Sequence, residues 1–175
     1  MPSDFAAFLR EPLSITVAGV RFRIPYRPAG AWAIGLHRLN VLAALLADDA
    51  DRERIGDLVL EYPQAVDDLR RESCRILGES AGRKWWEAAR LLSASAGPEV
   101  LGRLVLSGVD PWSRSLGEWC AATYALCVKG HDEKGRLKFD FSLGIPPAEF
   151  EDEWDDGADD PAAIMASLAE MTGKG

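Results

Sequence analysis

Few side chains in this sequence have the type and spacing that catalysis requires. There are two histidines. His37 lies in an apolar run that reads as helix. Imidazole suits a general base or a metal ligand, but a single histidine on an apolar helix is expected to be a partly buried structural residue. His131 falls in a polar turn and is expected in solvent. The three cysteines, Cys74, Cys120 and Cys127, form no CxxC pair, and two histidines cannot complete a zinc set from them. Cys120 and Cys127 stand two helical turns apart, about 10 Å by helical rise, too far for a disulfide. They are expected to serve as small apolar residues in a reducing compartment. No Ser-His-Asp order, GxSxG elbow, HExxH, P-loop or GxGxxG is present. Carboxylates are plentiful, but nothing in the spacing selects an acid-base pair. The expectation is a protein that is not an enzyme, with no catalytic residue, no cofactor and no metal.

The aromatic residues carry more information. Residues 81–86 read AGRKWW. Adjacent tryptophans on a helix point about 100° apart. Trp85 and Trp86 therefore either pack between two neighbouring helices or leave one indole outside as a protein-binding anchor, a role in which tryptophan is enriched. Trp112 follows an Asp110-Pro111 pair, and Trp119 lies further along the same segment. Residues 151–160, EDEWDDGADD, hold seven acids and no base. This run is either a solvated linker or an acidic docking segment. In the second reading Phe150 and Trp154, one helical turn apart, are its apolar anchors. An EF-hand reading fails because the glycine and terminal glutamate positions do not match. Near the end, Asp160 and Pro161 suit N-cap and N1. Ile164, Leu168 and Met171 then line one face of a short helix that needs a partner surface.

These residues are positioned by a mainly α chain with a small N-terminal β-hairpin. Residues 13–24 alternate in hydropathy about Ala18-Gly19 and predict the hairpin, ended by Pro25 and Pro28. From Ala29 the apolar residues recur at helical spacing through Trp32, Leu36, Leu39 and Ala43. The run to Ala47 predicts one buried helix rather than a membrane span, because His37, Arg38 and Asn40 interrupt it. Helices are predicted at about 52–61 and from Pro63 to a terminator at Gly78. Others are predicted from Ala81 to Gly97, through Val100–Val105, and from an Asp110-Pro111 start to Gly130. The expected core is Trp32, Leu36, Leu39, Leu69, Leu77, Leu92, Leu104 and Trp119. Beyond Gly130 the alternation of Leu137, Phe139, Phe141 and Leu143 among breaker residues predicts an extended arm or single strand. Two regions follow: a hairpin plus helical domain over 1–130, and an acidic extended arm with a short terminal helix over 131–175.

Composition bounds the function class. The 175 residues are 47% hydrophobic and 27% charged, as in a globular domain large enough to fold without disulfides or metals. The net charge is −8, and the acids outside the 151–160 run nearly balance the 20 basic residues. Such a chain lacks the clustered basic face that nucleic acid needs. The N-terminus MPSDFAAFLREP has no basic stretch followed by an apolar one, so no signal peptide is expected. A protein partner, with self-association as a further option, is the remaining class.

The layout resembles the tail assembly chaperones of long-tailed (siphovirus-type) bacteriophages that infect actinobacteria. The likeness spans most of residues 13–155. It rests on the hairpin start, the Ala/Leu-rich helix, the GRKWWEAARLL block at 82–92, Asp110-Pro111-Trp112 followed by a helix, and the acidic tail. The resemblance implies a protein made in the host cytoplasm that binds the tape measure protein, keeps it soluble and helps recruit tail tube subunits, and that is absent from the mature virion. It also implies a longer form made by ribosomal frameshifting. Thr172-Gly173-Lys174 is compatible with a GGGAAAR slippery heptamer. Helix-in-groove binding is the expected mode, with Trp85, Trp86, Trp112 and Trp119 as candidate lining and Phe150, Trp154, Ile164 and Leu168 as candidate contacts on the arm. A structural virion protein (a tail connector or completion protein) is the alternative function, and a small enzyme a third.

Overall fold

A computed structural model describes residues 13–148. The acidic run with Phe150 and Trp154, and the terminal segment with Ile164 and Leu168, lie outside the described residues. The chain divides into two compact units, Met1–Cys127 and Val128–Gly175.

The first unit is mainly α with a small β-hairpin at its start. Strands β1 (Leu13–Val17) and β2 (Val20–Ile24) pair antiparallel, with Val17 opposite Val20. Ile15, Val17, Phe22 and Ile24 are buried on one face, and Thr16, Arg21 and Arg23 are exposed on the other. The two-residue turn takes positive φ at both Ala18 (48°) and Gly19 (77°), the handedness that matches the strand twist. The left-handed conformation is unfavourable for alanine. It is held by an anchor 50 residues away: the Ala18 N–H donates to Asp68 Oδ2 at 3.0 Å.

Helices follow in the order α1 (Ala29–Gly35), a 3-10 segment (Leu36–Val41), α2 (Leu42–Leu46), α3 (Asp49–Glu61), α4 (Gln64–Ala81), α5 (Trp85–Ser95), α6 (Pro98–Leu106) and α7 (Leu116–Cys127). The longest, α4, packs against β1, the 3-10 segment, α2, α3, α5 and α7. Of the expected core, Trp32, Leu69, Leu77, Leu92, Leu104 and Trp119 are buried. Leu36 and Leu39 are only half-buried and His37 is exposed, against expectation.

The reason is a break. Residues 29–47 do not form one helix, because Arg38 (φ −123°, ψ 50°) leaves helical geometry and the chain folds back. Gly35 permits the fold: a Cβ there would lie 2.5 Å from Leu42 Cδ1. Residues Ala29–Leu46 have the length and hydropathy of a membrane span, yet they are broken into three pieces, with Trp32, Leu42, Ala43 and Leu46 buried. The break exposes backbone groups that need partners. The Ala43 N–H donates to Ser73 Oγ of α4 at 2.9 Å, inside the core. At the other end of α2, Arg27 and Arg52 donate to the carbonyls of Ala44, Leu45, Leu46 and Ala47 at 2.9–3.3 Å, favourable placement for cations at a helix C-terminus.

Two further boundaries differ from expectation. Helix α4 runs past Gly78 to Ala81, and Gly82 (φ 64°) ends it in the left-handed cap. Gly78 serves a close approach instead: a Cβ there would meet Arg83 O at 2.9 Å. Asp110-Pro111 opens a turn, not a helix. Helix α7 starts at Leu116 behind a reciprocal cap, in which Ser115 N–H donates to Glu118 Oε2 (2.9 Å) and Glu118 N–H to Ser115 Oγ (3.3 Å).

In the second unit the predicted extended arm is wrong over its described part. Residues Glu133–Gly144 form helix α8. Asp132 caps it, its side chain accepting from the Gly135 N–H at 2.7 Å. Period-2 alternation over seven residues also places Leu137 with Phe141 and Phe139 with Leu143 at i, i+4, so the pattern was compatible with either element.

Ser73→Ala leaves the Ala43 N–H buried without an acceptor. It is expected to cost about 1–3 kcal/mol in urea denaturation, whereas Ser93→Ala, at an exposed position of α5, changes stability by less than about 0.5 kcal/mol.

Candidate protein-binding surface

The Trp85-Trp86 block forms a corner between helices rather than an open groove. Gly82 turns the chain out of α4, and the Arg83 N–H returns to Gly78 O at 3.1 Å. The Arg83 guanidinium stands 5.2 Å from the Tyr124 ring centre of α7 and pairs with Glu87 at 3.7 Å. Trp86 is buried, under Lys84 Nζ at 5.7 Å. Trp85 is half-buried and meets Trp86 edge to face, centroids 5.8 Å apart. Trp119 is buried too, and its Nε1–H donates to Ser95 Oγ at 2.9 Å. Trp86 and Trp119 are therefore core residues, and the expectation that they line a binding groove is corrected. The four residues Phe150, Trp154, Ile164 and Leu168 are outside the described residues.

Trp112 is the candidate that the fold leaves open. Its indole is 57% exposed, yet its attachment is fixed from several sides. Asp110 Oδ1 accepts the Trp112 N–H at 3.1 Å, and Asp110 O accepts the Ser113 N–H at 3.2 Å, which closes a tight turn. The turn is stapled to the start of α1: Pro111 O accepts from Gly30 N–H and Arg114 O from Ala29 N–H, both at 3.0 Å. These bonds satisfy two amides of the first helical turn that no intrahelical carbonyl can reach. The indole then lies on Gly30, where a Cβ would stand 2.9 Å from two ring carbons. One turn along α1, on the same face, Ile34 is 62% exposed. Trp112 and Ile34 thus form an apolar platform with a preset backbone. Helix α6 adds a separate uncovered row of Leu101, Val105 and Leu106.

Ile34 and the seat at Gly30 were not identified from the sequence as parts of a site. The available signal was a glycine in the first turn of an Ala-rich helix, where a close approach is the usual physical cause.

The described residues hold no group of three or more metal-ligating side chains. The cysteines are free; Cys74 and Cys120 are buried. Burial pushes the Cys120 thiol up to about 11, partly opposed by the Arg83 charge.

The raised Cys120 value has a definite pH signature. The folded state disfavours the thiolate, so this stability contribution is intact below the unfolded value of 9.0 and is lost as pH climbs toward about 11. Cys120→Ala should flatten the decline in urea midpoint between pH 8.5 and 11, and an unchanged slope would refute the assignment.

The glycine seat predicts a contrast between two helical glycines. Gly56, in α3, has nothing within 4 Å of its would-be Cβ. Gly56→Ala should therefore stabilise by about 0.5–1 kcal/mol through helix propensity. Gly30→Ala should give none of that gain, because the indole must move, and should shift the Trp112 side-chain resonances in an NMR spectrum.

Comparison with protein-family models, curated proteins and solved structures finds no match to this chain.

Proposed function

We propose that this protein is a phage tail assembly chaperone that binds and solubilises the tape measure protein and helps recruit tail tube subunits in the host cytoplasm. The observation that carries this reading is the Trp112–Ile34 platform: an exposed apolar surface built on a backbone fixed by four hydrogen bonds. A long, one-sidedly apolar helical client needs such a surface to cover its stripe, since helix-in-groove and helix-on-face binding rest on a few buried aromatic and aliphatic anchors. The resemblance of residues 82–92 and of the overall layout to that family supports the same reading. The net charge of −8 fits the second requirement, that the loaded complex repel its copies and stay dispersed.

Co-expression with the tape measure protein of the same phage tests it. The soluble fraction of that protein should rise several-fold with the wild-type chain. Equal insolubility with and without the chain would end the proposal. Mass spectrometry of purified virions should find none of the chain, whereas stoichiometric recovery would favour a structural tail protein.

A further inference from the structure

Helix α6 packs on α5 and α7, and Leu104 is its one buried residue. On its other side three i, i+4 rows follow one another around the helix. The first is Leu101 and Val105, the second Pro98, Gly102 and Leu106, and the third Glu99 and Arg103. Val105 is 60% and Leu106 89% exposed. Glu99 and Arg103 are exposed and paired at 2.7 Å. The helix holds this face rigidly, because both its ends are closed. Pro98 opens it, and the Leu101 N–H donates to Gly97 O at 2.9 Å. A Schellman motif ends it: Val109 N–H donates to Leu104 O and Gly108 N–H to Val105 O, both at 3.0 Å, with Gly108 at φ 72°.

Gly102 stands at the centre of the apolar rows. Gly30, Gly35 and Gly78 each admit a close neighbour, but no described atom lies within 4 Å of a Cβ at Gly102. A helical glycine that disfavours the helix without serving a contact inside the chain is suited to a close approach from outside it. Gly56 is equally open, but its helical neighbours Arg52, Glu53 and Asp57 are charged and exposed.

We propose that this face pairs with the same face of a second copy, as two antiparallel α6 helices related by a two-fold axis beside Gly102. The proposal goes beyond the chaperone reading and does not depend on it. Such a contact is isologous, so one patch must complement itself. A two-fold axis in the contact plane and perpendicular to the helices keeps the three rows in order and reverses their direction. Gly102 then faces Gly102 of the partner subunit, and Pro98 faces Leu106 of the partner subunit. The charged rows lie side by side, which brings Glu99 next to Arg103 of the partner subunit and Arg103 next to Glu99 of the partner subunit. A parallel pair would instead set the charged row against the Leu101–Val105 row. Self-complementary charge and a glycine on the axis therefore select a second copy in one orientation. A nine-residue helix is about 14 Å long, too short to bury the roughly 800 Å² per partner of a stable complex. The dimer is accordingly weak, with a Kd between about 10 µM and 1 mM.

Sedimentation analysis of the full chain from about 5 µM to 1 mM tests the pairing, at about 0.15 M NaCl so that the repulsion of two acidic copies is screened. A monomer–dimer equilibrium is expected. Gly102→Gln replaces glycine by a better helix former in open space, so its thermal midpoint should not fall, while its dimer weakens about tenfold or more. Gly102→Ala makes the same comparison should the larger side chain disturb the fold. Gly56→Gln should leave association unchanged. Glu99→Arg and Arg103→Glu should each weaken self-association, since either makes the facing rows alike in charge. A mixture of these two variants should associate more tightly than either alone. A chain that stays monomeric at 1 mM overturns the proposal. So does a dimer insensitive to Gly102→Gln, or a mixture that associates no better than its components. Dimerisation lost on Trp112→Ala but kept on Gly102→Gln would place the interface on the platform and refute the α6 pairing.

Discussion

Short helices leave many backbone groups unpaired, and the first unit is held together by the way α4 supplies partners for them. A helix end leaves four amides or carbonyls without intrahelical bonds, and buried ones cost about as much as a lost hydrogen bond. Here α1, the 3-10 segment and α2 are each no more than about two turns long, so ends are frequent. Ser73 of α4 takes the Ala43 amide, Asp68 takes the Ala18 amide of the hairpin turn, Arg75 donates to the Ser14 carbonyl, and Gly78 O accepts from Arg83 at the start of the next corner. One helix thus pins the hairpin, the kinked segment and the α4–α5 corner. Its apolar stripe, with Leu69, Ile76 and Leu77 fully buried, excludes water from the Ser73 bond and so strengthens it.

The glycines complete this arrangement by allowing backbone and rings to approach. Gly78 admits the carbonyl of Arg83, Gly35 admits Leu42, and Gly30 admits the Trp112 ring. The first two approaches build the core. The third does not, because the ring it seats remains more than half exposed. Glycine in a helix costs about 0.5–1 kcal/mol relative to alanine. At Gly30 that cost is spent on fixing the orientation of a surface indole, which distinguishes the platform from the scattered exposed apolar residues that any protein carries.

The hairpin and most helices were legible because their signals are local and periodic. The alternation about Ala18-Gly19 admits only one face for Ile15, Val17, Phe22 and Ile24, and the 3–4 spacing of Leu69, Ser73, Ile76 and Leu77 places them on one stripe. What was hidden depends on contacts distant in sequence. The kink at Arg38 is stabilised by Ser73, 35 positions away, and a serine on an apolar stripe looks like a neutral filler until its partner is known. Asp68 and Arg75 stand among the charged residues of α4, yet each reaches a backbone group of the hairpin. Leu137 to Leu143 misled in another way: seven residues of alternation satisfy a strand and an i, i+4 pairing equally, and the deciding feature was Asp132, whose side chain caps the Gly135 amide. For the candidate site, the residue type of Trp112 was legible but its exposure was not. Trp86 and Trp119 are the same residue type in helical segments of similar hydropathy, and burial separates them only through packing.

A platform of two apolar side chains also limits how strongly it can hold anything. Stable complexes bury roughly 800 Å² per partner, more than one indole and one isoleucine supply, and such a contact yields fast dissociation because affinity differences lie mostly in the off-rate. For a permanent structural subunit that would be a defect. For a chaperone it is a requirement, since the client must leave when its own assembly partners bury the same stripe. A small rigid anchor gives this behaviour better than a large soft one. It loses little side-chain entropy on binding, so each contact is effective, while the total stays low enough to be displaced. In the proposed role, a long client with a repeating stripe would be covered by many copies, each weakly bound, and the −8 charge on every copy would keep the coated client from collapsing on itself. Fixed backbone, exposed indole and net acidity are then consistent with reversible cover, which is the physical content of the proposed function.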